Sequence, residues 1–209
     1  MLLFFDIETA PACHRKDLTE SLKTLWIERY LKDNDEAPDV FYLDRAWLYA
    51  EFSKVLCISC WYIWNDWEII IKTYQWDEKE LISDFFSAIL KVRLCWWNIK
   101  QFDIPFICKR AVVNWIRIPH YISPIGKKPW EVPHLDLMEI WKFNWFTNSW
   151  LALTCETLWI PTPKDAMGWA DVGKHYLETG DVSDIVAYCE KDVKATIAVY
   201  QKMSECVTI

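Results

Sequence analysis

Hydrophobic and polar positions alternate along the chain in a way that predicts its elements. Leu2 to Phe5 is an unbroken apolar run ending in Asp6-Ile7-Glu8, the pattern of a central strand buried on both faces. Leu18, Leu22, Leu25 and Trp26 follow helical spacing between about 17 and 32, and the polar segment Lys32 to Asp39 breaks it. Val55 to Trp64 and Glu68 to Tyr74 are rich in Val, Ile, Cys and Tyr and flank Asn65-Asp66, which predicts an antiparallel hairpin. Asp77 with Glu80 has the form of a capping box, followed by Leu81, Phe85 and Ile89 on one helical face. Val92 to Trp97 reads as a further strand, and Pro105 suits the first turn of a helix running to about Val113. After a Pro- and Lys-rich loop from Pro119 to Pro133, helical segments are expected near 134–143, 148–158 and 181–205. This order predicts an α/β fold, a mixed sheet with helices on both faces, forming one domain over residues 1–209.

Composition narrows the class. With 53% hydrophobic and 25% charged residues the chain is not intrinsically disordered. No apolar run reaches the roughly 18 residues of a membrane span, and Met1 leads into the first strand without a basic segment, so neither a membrane association nor a signal peptide is expected. The 8 cysteines in a chain of this length read as reduced, mostly buried thiols of a cytoplasmic protein. A net charge of −7 argues against a general nucleic-acid coat, yet it is compatible with an enzyme carrying clustered carboxylates and a few local basic contacts.

Three remote segments carry candidate chemistry. In Phe5-Asp6-Ile7-Glu8-Thr9 the two acids are two apart on a strand, so both carboxylates point to one side. At the end of a buried strand such a pair is costly unless a cation compensates it, although a strand running out into solvent gives the same pattern. In Asn98-Ile99-Lys100-Gln101-Phe102-Asp103-Ile104-Pro105, Asp103 falls at a helix N-terminus, a place that equally suits an ordinary capping residue. In Tyr188-Cys189-Glu190-Lys191-Asp192 the spacing of four sets Tyr188 and Asp192 on one face, a turn apart; a solvated acidic face is the plainer alternative.

Together and in this order, the segments resemble the DEDD exonuclease superfamily of the ribonuclease H-like fold, in the subgroup with a tyrosine in its third motif. More closely, the chain is similar to predicted 3′–5′ exonucleases related to the proofreading domain of B-family DNA polymerases. The likeness includes Leu158…Ile160-Pro161-Thr162-Pro163-Lys164 between the second and third motifs. It implies metal ligands at Asp6, Glu8, Asp103 and Asp192, a water-orienting Tyr188, and two divalent cations. The oxygen-only donor set suits Mg²⁺ or Mn²⁺. The implied reaction releases 5′-mononucleotides from the 3′ end of single-stranded nucleic acid, with DNA the expected substrate and no obligate protein partner expected. An RNA-trimming exonuclease of the same superfamily and a catalytically silent nucleic-acid-binding module are the alternatives.

Beside these ligands, Thr9 and Asn98 are candidates to touch the terminal nucleotide and Phe102 to stack on a base. Lys100, Lys109, Arg110, Arg117, Lys127 and Lys128 are candidates to follow a phosphate backbone, with a solvated mixed surface as the alternative. Cys57 and Cys60 are three apart in a strand pattern and so face opposite sides, and the four histidines lack ligand spacing. No serine-hydrolase, P-loop or dinucleotide signature occurs.

One count is abnormal. Glycine occurs 4 times and tryptophan 15 times, where a chain of this length ordinarily has about 15 glycines. Trp67 follows Asn65-Asp66 at the hairpin turn, and Trp115 and Trp159 each follow a predicted helix end with Pro beyond, positions that favour a left-handed residue. By the family resemblance, Trp47, Trp61, Trp96 and Trp145 also fall at or near glycine positions. A UGA codon that encodes glycine in the source organism, read as tryptophan, accounts for both counts and warns against treating these rings as base-stacking platforms.

Overall fold

The structure is a computed structural model that describes residues 2–31, 36–63, 69–75, 77–89, 92–162 and 168–209. Five strands form one sheet in the order β3-β2-β1-β4-β5: β1 Leu2–Pro11, β2 Ser53–Ile63, β3 Ile69–Tyr74, β4 Arg93–Trp96 and β5 Leu135–Asp136. β1 is central, antiparallel to β2 and parallel to β4. Every residue of it from Leu3 to Pro11 is buried, as the apolar run predicts for a strand covered on both faces.

The two covers follow from the strand's period of two. Phe5 faces Phe85 of α3 (Glu78–Ala88), ring centres 5.0 Å apart, while Phe4 faces Tyr200 of the long C-terminal helix α8 (Ser183–Ser204) at 5.2 Å. Asp6 and Glu8 share the Phe4 face and are therefore turned toward α8. The register slips between Glu8, opposite Cys57, and Thr9, opposite Val55. Such a bulge re-aims side chains where the acidic pair ends.

The expected hairpin is present as β2 and β3, with Ile58 opposite Tyr74; its Asn65-Asp66-Trp67 turn lies outside the described residues. Asp77 caps α3 through the Lys79 N–H, and α4 spans Asp103–Val113, as Pro105 predicts. A buried ion pair ties these two helices to the sheet. Arg110 donates to both oxygens of Glu78, at 2.8 and 2.6 Å, and to the Ala50 carbonyl, while Glu78 accepts the Val55 N–H.

The N-terminal helical stretch is more broken than its spacing predicts. α1 (Glu20–Trp26) winds on into a π-helical turn, Ile27–Leu31, and an unexpected α2 (Pro38–Arg45) starts inside the polar segment. Both are held by an aromatic cluster around fully buried Trp26, which meets Tyr42 and Phe52 at 5.0 Å each. The stretch 134–143 divides into β5 and a short helix, α5 (Leu137–Lys142). α6 (Leu151–Thr157) falls within 148–158, and α7 (Trp169–Thr179) has no counterpart in the sequence reading.

Two helix ends bear on the tryptophan count. Beyond α4, Trp115 has φ +59°, its N–H donating to the Val112 carbonyl and that of Ile116 to Ala111. Beyond α6, Trp159 has φ +59°, with the same pair of bonds from Trp159 to Glu156 and Ile160 to Cys155. Both are Schellman caps with tryptophan at the left-handed position that glycine normally fills. The two residues are 93% and 94% exposed, so no packing of their side chains compensates the backbone. Among the described residues no other tryptophan has a positive φ, so Trp47, Trp61, Trp96 and Trp145 carry no such signature.

Candidate active site

Asp6 and Glu8 are buried side by side on the α8 face of β1, close enough that each carboxyl feels the other's charge. Asp103 is the first residue of α4 and only 1% exposed, with one carboxylate oxygen turned toward the Ile7 backbone of β1. Its other oxygen, Oδ2, is buried without a hydrogen-bond partner. From the opposite side α8 supplies Tyr188, Cys189 and Asp192, all buried, with the Tyr188 hydroxyl beside the Asp192 carboxylate. Carboxyls from three remote segments thus meet at one spot.

Burial is the main electrostatic cause here, with crowding second. It pushes the Asp6 and Glu8 carboxyls well above the usual carboxylate range, and Asp192 and Asp103 raise both further. Asp103 is raised by burial too, against the lowering effect of its backbone hydrogen bonds. Tyr188 is pushed up first by burial and then by the neighbouring Asp192, Glu8 and Asp6, so its hydroxyl stays protonated.

The four carboxyls open onto a cleft of about 340 Å³, within the range of small-molecule sites, whereas Tyr188 is buried behind Asp192 and is not among its lining residues. Asp6, Glu8, Thr9, Asn98, Phe102, Asp103 and Asp192 all line it. The Thr9 hydroxyl is engaged with the Trp47 carbonyl at 2.9 Å, whereas Asn98 Oδ1 is buried and has no partner. Phe102 is half-buried and meets Trp47 edge-on at 6.1 Å and Phe106 at 5.5 Å.

The basic candidates are placed differently. Lys109 is not among the cleft's lining residues; it sits on the outer side of α4, paired with Glu51 at 3.0 Å. Arg110 is corrected outright, since it is buried against Glu78 and cannot track a phosphate backbone. Lys100 pairs with Glu139 at 2.7 Å.

Sequence reasoning missed one acid. Asp136 ends β5, is 2% exposed, and accepts N–H groups from both Asn98 and Lys100. An apolar residue and an acid placed just before a helical pattern, Leu135-Asp136, is the available signal, and it reads as a simple N-cap.

A divalent cation fits this donor set. An orphaned buried carboxylate oxygen and two carboxyls pressed together are both relieved by positive charge, and the hard oxygen donors suit Mg²⁺ or Mn²⁺. Ligand atoms of Asp6, Glu8 and Cys189 all lie within 4.8 Å of one another.

Among solved structures the chain is similar to the family B DNA polymerase of the hyperthermophilic archaeon Pyrobaculum calidifontis, with a TM-score of 0.57 and 16% identity over 97% of this chain. It spans 24% of that polymerase's length, and the likeness establishes the ribonuclease H-like α/β fold. No curated protein matches. The sequence profile of one family matches residues 45–208, and the chain belongs to it: predicted 3′–5′ exonucleases related to the exonuclease domain of PolB. The matched span holds Asn98, Asp103, Tyr188 and Asp192 and leaves β1 outside. No helix among the described residues is long and apolar enough to cross a membrane.

Proposed function

We propose that this protein is a divalent-cation-dependent 3′–5′ exonuclease that hydrolyses phosphodiester bonds at the 3′ end of single-stranded nucleic acid, DNA in preference to RNA, and releases 5′-mononucleotides. One observation carries the reading: Asp6, Glu8, Asp103 and Asp192, from three distant segments, all line one cleft, with Tyr188 buried next to the last of them. The family membership supports the reaction class.

In this reading Asp6, Glu8, Asp103 and Asp192 hold two Mg²⁺ or Mn²⁺ ions. Bound there, such ions make water acidic enough to attack phosphorus and neutralise charge on the attacking and leaving oxygens. The remaining tasks belong to the chain. Tyr188, one helical turn from Asp192, orients the attacking water with a hydroxyl that stays protonated. Asn98 lines the cleft and offers its amide to the terminal nucleotide, and Phe102 offers an aromatic face or edge to its base. Thr9 shapes the wall, its hydroxyl proton committed to the Trp47 carbonyl and its oxygen left to accept from the nucleotide.

The test incubates end-labelled single-stranded DNA and RNA with the protein and Mn²⁺ or Mg²⁺. Mononucleotides from DNA, faster than from RNA and abolished by Asp6→Ala, are the expected result. Faster release from RNA would assign an RNA-trimming enzyme instead. Strand binding with no cleavage in either metal would assign a silent binding module.

A further inference from the structure

Asp136 does not line the cleft, yet its carboxylate accepts four backbone N–H groups beside it. Oδ1 accepts the N–H groups of Asn98 at 3.0 Å, Met138 at 3.1 Å and Glu139 at 3.4 Å, and Oδ2 accepts that of Lys100 at 3.1 Å. Two of these bonds cap α5, which any Ser, Thr or Asn would do. The other two reach across to the turn that leads from β4 into α4.

That turn is built to need an anchor. Asn98 has φ +66°, in the left-handed region, and its carbonyl accepts the N–H groups of both Gln101 and Phe102 at 3.1 Å. The Ile99 carbonyl then accepts Ile104 N–H at 3.1 Å, which starts α4 with Asp103 at its head. Asn98 and Asp103, both lining the cleft, therefore hang from the two ends of one tight turn, and Asp136 grips its entry. The two-residue strand β5 has a geometrical purpose in this light: Asp136 pairs in register with Trp96, which brings its carboxylate alongside the chain just past β4.

We propose that Asp136 is a positioning residue that sets where Asn98 and Asp103 stand in the cleft, acting through the 98–102 backbone and touching neither substrate nor cation. The inference rests on the exonuclease reading. Partners that orient ligands from behind typically change metal affinity or activity by about 10–100-fold when altered.

Two variants separate positioning from mere stability. Asp136→Asn keeps an oxygen for the Asn98, Met138 and Glu139 donors and loses only the Lys100 bond. Asp136→Ser keeps the α5 cap but is too short to hold the turn. Tyr42→Phe, which removes a buried hydrogen bond to the Phe52 carbonyl in the separate aromatic cluster, serves as the stability control. Each is measured for thermal midpoint, for Mn²⁺ affinity by electron paramagnetic resonance, and for kcat and KM on single-stranded DNA. The expected result is a graded loss. Asp136→Asn loses about tenfold and Asp136→Ser about a hundredfold in kcat and Mn²⁺ affinity, while Tyr42→Phe changes only the midpoint. Wild-type kcat and Mn²⁺ affinity in folded Asp136→Ser would overturn the inference while leaving the exonuclease reading intact. A wild-type protein that neither binds Mn²⁺ nor cleaves would overturn that reading and this inference with it.

Discussion

The Cys189 thiol stands 3.5 Å from Asp6 Oδ2 and 3.6 Å from the Asp6 carbonyl, joining positions 183 residues apart in the chain. This contact clamps α8 onto the acidic end of β1, and it sets a soft sulfur donor beside hard oxygen donors. Cd²⁺ is therefore expected to recruit Cys189 and give a sulfur-to-metal ultraviolet absorption that Cys189→Ser lacks, whereas Mn²⁺ gives none. A band that survives in Cys189→Ser, or its absence at saturating Cd²⁺, would show that the sulfur is turned away from any bound ion.

Asp6, Glu8 and Asp103 have folded-state values raised by burial, so the folded protein keeps protons that the unfolded chain releases near pH 4. Stability from these groups is complete below that pH and is lost as pH rises through their raised values. In EDTA the protein is expected to melt lower at pH 8 than at pH 5.5, and Mn²⁺ to raise the midpoint far more at pH 8. Asp6→Asn should narrow the pH difference while lowering nuclease activity by at least about 100-fold, a trade of function for stability. Equal midpoints at the two pH values without metal would refute the electrostatic account.

Trp115 and Trp159 occupy left-handed caps with their rings in solvent. A non-glycine residue there costs on the order of 1 kcal/mol or more. Trp115→Gly and Trp159→Gly are each expected to raise stability by about 1 kcal/mol in urea melts, and a drop in either would contradict the strain argument. Trp26→Ala, which empties a fully buried site, should instead cost about 3–5 kcal/mol. Peptide mass spectrometry of the protein isolated from its source organism is expected to find glycine at 115 and 159. Tryptophan at both would end the codon explanation.

Arg110 joins α4 to α3 and to the Ala50 carbonyl, with both ion-pair side chains about 10% exposed. Removing one partner leaves a buried charge uncompensated, so Arg110→Ala is expected to lower stability by about 3 kcal/mol. Because α4 carries Asp103, Mn²⁺ affinity should fall with it. An unchanged denaturation midpoint would mean that Glu78 finds water or another donor once the guanidinium is gone.

What the sequence determined by itself is what repeats locally. The apolar run of β1, the two-residue spacing of Asp6 and Glu8, the proline-marked start of α4 behind Asp103 and the four-residue spacing of Tyr188 and Asp192 each follow from backbone periodicity. So do the two left-handed caps, since a helix end followed by proline demands the same geometry whatever surrounds it. Only the tertiary structure decided the rest. A strand as short as β5 has no period to read, and it exists because β4 offers it a partner. α2 begins in a polar stretch because Trp26 needs Tyr42 and Phe52 around it. Arg110 and Lys109 are adjacent cations on one helix, indistinguishable by type, yet one turns inward to Glu78 and the other outward to Glu51. Which way each side faces is set by packing between elements far apart in the chain, and no local pattern encodes it.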